Sequence, residues 1–372
     1  MKQSDFKKTA RQLLESAGIQ INGQHPWDIR IHNENFYERV LAKGSLGLGE
    51  SYMDGWWDCE KLDEFFYRIL YKKLDSAVIP LIDSLKILKA RLINMGRRSR
   101  AFEIGRRHYD LGNNLYRLML DRLMIYSCGY WKNADSLDQA QEHKLDLICR
   151  KLDLKPGMRL LDIGCGWGGA ARYAAEKYGV SVCGITVSEQ QATFARDLCR
   201  GLPVEIRLQD YRSLEGTYDR ILSVGMIEHV GVKNYAVFFK VAREHLTEDG
   251  LFLLHTIGSN ESGVNGDAWI ERYIFPNSMI PSGKQLFEAS EDHFVMEDWH
   301  NFGADYDRTL MCWYNNFKSG WKELKENYDR RFYRMWEYYL LSCAGCFRAR
   351  QIQLWQIVFS PEGIPGGYAK PY

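Results

Sequence analysis

The sequence predicts an α/β domain preceded by a smaller, mainly helical amino-terminal domain. Three observations predict it. From about residue 150, apolar runs of strand length alternate with helical stretches, a pattern of βαβ units. The first of these runs ends in a glycine-rich turn that opens a helix. The first ninety residues read instead as helices with glycine-rich breaks at Gly44, Gly47 and Gly49. A length of 372 residues suits two domains. The expected division is 1–90, a basic linker over 91–107, and 108–372.

Taken in order, the start of the chain reads as an amphipathic helix with Phe6, Ala10, Leu13 and Leu14 at helical spacing. It lacks the apolar stretch and small-residue cleavage site of a secretory signal. The Gly47-Leu-Gly49 run follows no apolar strand and is expected to be a turn rather than a phosphate loop. Net charge is +1 overall, but residues 1–107 hold 19 Lys/Arg against 14 Asp/Glu, and the remainder holds 30 against 34. The excess sits in Leu85–Arg107, where Lys86, Lys89, Arg91, Arg97, Arg98, Arg100, Arg106 and Arg107 face only Glu103. Such a segment suits an anionic surface or a solvated helix face. Strands are expected at Arg159–Ile163, Val180–Ile185, Val204–Leu208, Arg220–Val224 and Leu251–Ile257. Their continuous apolar character fits a parallel sheet covered on both faces. Helices are expected between them, at 169–179, Ser188–Arg200 and Tyr235–Leu246. The nine scattered cysteines are expected to be reduced thiols, and the one CxxC pair, Cys343 and Cys346, has no further ligands at zinc spacing.

The strongest local signal is Leu161-Asp-Ile-Gly-Cys-Gly-Trp-Gly-Gly169. A nicotinamide site would need GxGxxG and an acid closing the second strand. Here the spacing is GxGxGG, and the second strand ends in Ile185-Thr-Val-Ser-Glu-Gln-Gln191. The acid instead precedes the loop, at Asp162, where a carboxylate suits a ligand with ammonium and sulfonium charges. The pattern resembles the cofactor motif of Rossmann-like class I S-adenosylmethionine-dependent methyltransferases. Candidate cofactor-binding residues are Tyr126, Ser127, Asp162, Gly164, Gly166, Trp167, Gly168, Thr186, Ser188, Gln191, Asp210 and Tyr211. Asp210-Tyr211, past the third strand, sits where that fold reads the adenine.

Four further segments narrow the reading: His108–Leu115 (HYDLGNNL), Tyr126–Trp131 (YSCGYW), Ser223–Val230 (SVGMIEHV) and Trp269–Pro276 (WIERYIFP). With Leu161–Gly169 they resemble the cyclopropane fatty acid synthases and the related mycolic acid cyclopropane synthases, from about His108 to the end. Gly49–Asp58 (GESYMDGWWD) resembles the amino-terminal domain of the phospholipid-acting branch. The resemblance implies transfer of the methyl of S-adenosylmethionine to a cis double bond of a phospholipid acyl chain. It implies a carbocation, and ring closure after a bound bicarbonate removes a proton. The family's bicarbonate ligands fall on Cys128, Glu228, His255, Ile257 and Tyr306, with Cys128 and Ile257 contributing mainly backbone groups. A cysteine proposed as catalytic in the family falls on Cys343, with Arg334, Arg348 and Arg350 as neighbours able to lower its pKa; the implied mechanism has no step for a thiolate.

These residue types fit the chemistry. A carbocation must not meet water, so the pocket should be dry and aromatic-lined. Tyr130-Trp131, Trp269, Tyr273, Phe275 and Trp313 supply candidate faces. Bicarbonate needs donors and an acceptor: His255 and Tyr306 can donate, and Glu228 can accept. Both Glu228 and His255 lie at the carboxyl edge of the expected sheet, where such sheets bind ligands.

No run is long enough to span a bilayer, so docking on the phospholipid bilayer is expected to be peripheral. The basic segment 86–107 and Tyr273–Ile280 (YIFPNSMI), read as exposed apolar residues, are the candidates. The resemblance implies a homodimer on the inner, cytoplasmic face of the membrane and no nucleic-acid partner. Two rivals are a small-molecule methyltransferase, as some plant N-methyltransferases are, and a non-catalytic S-adenosylmethionine sensor. The Gly49–Asp58 region and the bicarbonate set argue against the first, and the intact Cys128, Glu228, His255 and Tyr306 set argues against the second.

Overall fold

The computed structural model describes residues 3–74, 112–264 and 266–372. The basic segment 86–107, and residues 108–111 of the HYDLGNNL segment, lie outside the described residues. The chain divides into two units. The first gathers residues from 3–74, 266–276 and 306–352; the second gathers 112–264, 277–305 and 353–372. Among the described residues, no helix is long and apolar enough to cross a membrane.

The chain begins with α1 (Gln3–Ser16), β1 (Arg30–Ile31), α2 (Phe36–Lys43), α3 (Ser45–Met53), β2 (Trp57–Asp58) and α4 (Leu62–Tyr71). β1 and β2 pair antiparallel. Three glycines were read as breaks, and only Gly44 is one, with φ of 56° between α2 and α3. Gly47 and Gly49 lie inside α3, which corrects the expected turn. They are there for close packing. A Cβ on Gly47 would lie 2.2 Å from the Arg39 carbonyl oxygen, and one on Gly49 2.3 Å from Cδ1 of Trp269.

Next come α5 (Asn113–Met119), α6 (Leu137–Lys151), β3 (Arg159–Ile163), α7 (Gly169–Tyr178), β4 (Ser181–Thr186), α8 (Glu189–Leu198), β5 (Val204–Leu208), β6 (Tyr218–Val224), α9 (Tyr235–Glu244) and β7 (Leu246–Ser259). After them run α10 (Ala268–Tyr273), α11 (Gly283–Ser290), β8 (Val295–Asn301), α12 (Ala304–Leu324), α13 (Arg330–Arg348) and β9 (Ile352–Ser360).

The helical unit is built on aromatic side chains. Trp57 is fully buried, with Tyr52 and Phe65 at ring distances of 5.0 and 5.4 Å. Phe66 and Trp269 both pack on Tyr338 of α13, at 5.1 and 4.4 Å. At Gly345 a Cβ would lie 2.7 Å from the Asp63 carbonyl oxygen, so α13 and α4 meet backbone to backbone. Arg334 closes the unit, donating to the carbonyls of Tyr52 and Trp57 and pairing with Asp58 at 2.7 Å.

The second unit is a seven-stranded sheet in the order β5-β4-β3-β6-β7-β9-β8. β5, β4, β3, β6 and β7 pair parallel, and β8 pairs antiparallel with β9. Both faces are covered. Ile221, Phe252 and Leu254 belong to one core with Phe238 of α9, while Leu222 and Leu253 belong to another with Ile148 of α6 and Ala171 of α7. Alternate residues of one strand thus enter different cores, which is why the strands read as unbroken apolar runs. The strand order reverses between β3 and β6, the position where open α/β sheets bind ligands at their carboxyl edge.

Candidate active site

At that reversal the chain leaves β3 through the glycine turn. Gly164, Gly166 and Gly168 all take positive φ (88°, 55° and 85°), conformations that side-chain-bearing residues rarely adopt. The turn delivers the amino terminus of α7 to a cavity. The cavity wall continues along the carboxyl ends of β4, β5 and β6 through Thr186, Gln209, Asp210, Gly225 and Met226. Eleven of the twelve expected cofactor residues line it; Gly168, in the same turn, does not.

Each side of the cavity has its own chemistry. Beyond β4, Thr186 donates to Gln191 at 2.9 Å, and the Ser188 hydroxyl caps α8 by accepting from the Gln191 amide. Beyond β5, the Asp210 carboxylate takes two guanidinium bonds from Arg212, at 2.8 and 2.7 Å, and the Arg212 amide at 2.9 Å. Trp167 donates to Asn113 at 3.1 Å and packs on Tyr116 at 4.7 Å. Tyr116 in turn packs on Tyr126 at 5.3 Å.

Asp162 is 1 % exposed, and among the described residues its Oδ2 has no hydrogen-bond partner. Burial pushes its pKa up to about 7, and Lys144 opposes that rise. A buried carboxylate with an open oxygen is the fit expected for a cationic ligand.

A second constellation adjoins the end of β6. Val224 pairs with His255 across the β6–β7 register, and the Gly225 amide donates to the His255 carbonyl. Glu228, in the short turn 227–229, is buried and accepts the Ile257 amide on Oε1 at 2.8 Å. His255 and Ile257 share one face of β7 by strand alternation. Glu228 Oε2 and His255 Nε2 are both buried and, among the described residues, without a hydrogen-bond partner. Burial raises the Glu228 pKa, and the Ile257 amide works against it. Burial lowers the His255 pKa well below its usual value, so the ring is neutral. Its Nδ1 faces the Gln356 amide nitrogen at 3.3 Å. Cys128 is buried, its thiol donating to the Gly129 carbonyl at 3.1 Å.

The remaining expected residues belong to the helical unit. Tyr306, on α12, packs on Phe347 at 4.5 Å and on Trp313 at 5.9 Å. Cys343, on α13, is not the activated thiol its arginine neighbours suggested. Burial raises its pKa, with Cys346 and Asp267 acting the same way. Arg334 is engaged by Asp58 and two carbonyls, and Arg348 by Asp63 and Asp307. Segment 273–280 also differs from the exposed apolar stretch expected. Ile274 and Met279 are buried, and Tyr273, Phe275 and Ile280 are half-buried.

Three residues of the site escaped the sequence reading. On α6, Gln141 and Lys144 are buried, donating to the carbonyl and hydroxyl of Ser127 at 2.8 and 2.9 Å. The buried positions 137, 140, 141, 144, 145 and 148 form one helical stripe. Two polar residues inside an apolar stripe were the available signal. Gln356 sits likewise in the apolar run of β9.

Comparison with known proteins places these features among relatives. The family model described as mycolic acid cyclopropane synthetase matches residues 96–357. The cyclopropane-fatty-acyl-phospholipid synthase of Escherichia coli (strain K12) is 56% identical over 364 residues, covering 98% of this chain and 95% of that protein. The cyclopropane synthase MmaA2 from Mycobacterium tuberculosis has a similar structure, with a TM-score of 0.65 and 33% identity over 69% of this chain and 97% of that one. So does the mycolic acid cyclopropane synthase CmaA1 complexed with SAH and CTAB, with a TM-score of 0.65, 32% identity and the same coverage.

Proposed function

Because the chain belongs to the cyclopropane synthase family of S-adenosylmethionine-dependent methyltransferases, we propose that it adds a methylene across the cis double bond of phospholipid acyl chains. When bound, S-adenosylmethionine would supply the methyl, and a bicarbonate held by Glu228 and His255 would supply the base for the proton that the methylated carbocation loses. The products are the cyclopropane, S-adenosylhomocysteine and one proton. What supports this reading is that Glu228 Oε2, just past β6, and His255 Nε2, on the neighbouring β7, are buried and, among the described residues, without a hydrogen-bond partner. A small ion with both an acidic hydroxyl and basic oxygens complements them.

The chain's own groups divide the work. Glu228 commits Oε1 to the Ile257 amide, which leaves Oε2 to accept a hydroxyl proton. The Gln356 amide nitrogen can only donate, so where it faces Nδ1 the His255 ring accepts there and carries its proton on Nε2. His255 therefore presents a neutral N–H donor. Its burial, and that of Cys128 and Glu228, excludes the water that would quench a cation. An alkene is a weak nucleophile, so most of the rate must come from orientation. A donor for the ion is also assigned to the Tyr306 hydroxyl on the resemblance. Docking on the bilayer is peripheral in this reading, from the cytoplasmic face, with a homodimer as the working form.

The test is incubation with unsaturated phospholipid vesicles and methyl-labelled S-adenosylmethionine. Acyl chains heavier by one methylene are expected. Glu228→Gln and His255→Ala should each lower turnover by about 100-fold or more, the range for a positioned proton-transfer group. Label appearing in amines, with unchanged acyl chains, would overturn the reading.

A further inference from the structure

On the reading that the glycine cavity holds S-adenosylmethionine, we infer that Lys144 is the positioning residue for its carboxylate: the ammonium turns the Ser127 hydroxyl into a donor aimed at that group.

Lys144 is 1 % exposed and lines the cavity. Fully buried lysines are nearly always paired. The second buried lysine of α6, Lys151, follows that rule, with the Asp298 carboxylate 3.0 Å away. Lys144 does not: among the described residues no carboxylate lies within ion-pair distance of it, and its bond is to the Ser127 hydroxyl at 2.9 Å. Asp121 and Asp162 act on it from farther off. Asp121 is already occupied, accepting the amides of Leu123 and Ile125 at 2.8 Å each. The cation therefore waits for an anion that arrives with the ligand.

Donor and acceptor rules fix the direction. An ammonium only donates, so Ser127 Oγ accepts from Lys144 and its own proton must point elsewhere. Gln141 holds the Ser127 carbonyl at 2.8 Å, which sets the backbone that carries the hydroxyl. Ser127 also lines the cavity. A hydroxyl polarised by a cation behind it is a strong donor to a carboxylate.

Charge matching selects the end of the ligand. The other cationic side chain lining the cavity, Arg212, is held by Asp210 through two bonds. Burial keeps His229 neutral, its pKa lowered to about 4. Among the described residues the cavity thus offers one cation without an ion-pair partner, Lys144, acting on one carboxylate with an open oxygen, Asp162. The amino-acid end of S-adenosylmethionine carries one carboxylate and one ammonium, the complementary set.

The test compares two ligands of the full-length protein. S-adenosylhomocysteine has the amino-acid end; 5′-methylthioadenosine is the same nucleoside thioether without it. Calorimetry on Lys144→Met should show S-adenosylhomocysteine weakened about 10- to 100-fold, as for loss of a charge-assisted bond, and methylthioadenosine changed less than about twofold. Ser127→Ala should give the same selective loss, and the double variant little more than either single one. Equal weakening of both ligands, or an unchanged affinity for S-adenosylhomocysteine, would overturn the assignment. If Lys144→Met does not fold, Ser127→Ala decides alone by the same criterion. Wild-type protein that binds neither ligand would sink the cofactor reading itself, a different result from either of these.

Discussion

Asp162 is costly to the free protein. Its ordinary pKa is 3.8, and burial carries it to about 7. The folded state therefore bears a penalty that is full above pH 7, declines as pH falls toward 3.8, and vanishes below it. At pH 8 that penalty is on the order of a few kcal/mol. Asp162→Asn should raise the melting temperature of the ligand-free protein at pH 8, with the gain shrinking toward pH 4. The same variant should lose most of the stabilisation that S-adenosylhomocysteine gives wild type. A lower melting temperature at pH 8 would contradict this account. Gln356 permits a separate check. Gln356→Leu removes the donor that fixes the His255 tautomer and should cut turnover about 10-fold, within the usual range for proton-transfer partners. Affinity for S-adenosylhomocysteine should stay unchanged, and a fall in both would point to general damage to the sheet. Asp162, Glu228 and His255 were legible because each interrupts or closes an apolar run at a strand's carboxyl end. Lys144 and Gln356 were not, because each needs a neighbour distant in sequence, Ser127 or His255, before its polarity has meaning.

At the level of elements, β3 to β7 were visible because a strand buried on both faces leaves a dense apolar run between glycines. β8 was not. It pairs with β9 alone in the sheet order, and only Asp298 of its seven residues is buried, so its composition is that of a surface segment. α3 was misread for the opposite reason. Two glycines lower helix propensity by about 1 kcal/mol each relative to alanine, yet the helix forms because its neighbours need the space. Gly49→Ala should therefore destabilise the protein despite better propensity. With 2.3 Å between the new methyl and Trp269, a cost of about 1–3 kcal/mol is expected. Chemical denaturation gives the value, and a stabilised variant would show that the indole moves freely.

For the whole molecule, sequence charge bears on docking. Arg97, Arg98 and Arg100 belong to the basic run before the α/β domain. Reversing all three to glutamate should weaken binding to anionic vesicles at low salt, with the difference fading above about 0.1 M as screening sets in. Unchanged binding would remove this segment from the docking surface. The glycine turn comes from one contiguous motif and Glu228 from another, so much of the α/β unit could be read along the chain. The helical unit could not, because α4 finds its packing partner α13 almost three hundred residues later.

That interleaving has a consequence during synthesis. The apolar faces around Trp57, Phe65 and Phe66 leave the ribosome early, while Tyr338 and Gly345, which cover them, are made near the end. At about 5–20 residues per second, the wait from residue 74 to residue 352 is roughly 15–55 s. For that interval a nascent aromatic cluster stands uncovered, and a message truncated before α13 would release a chain whose first domain has no way to close.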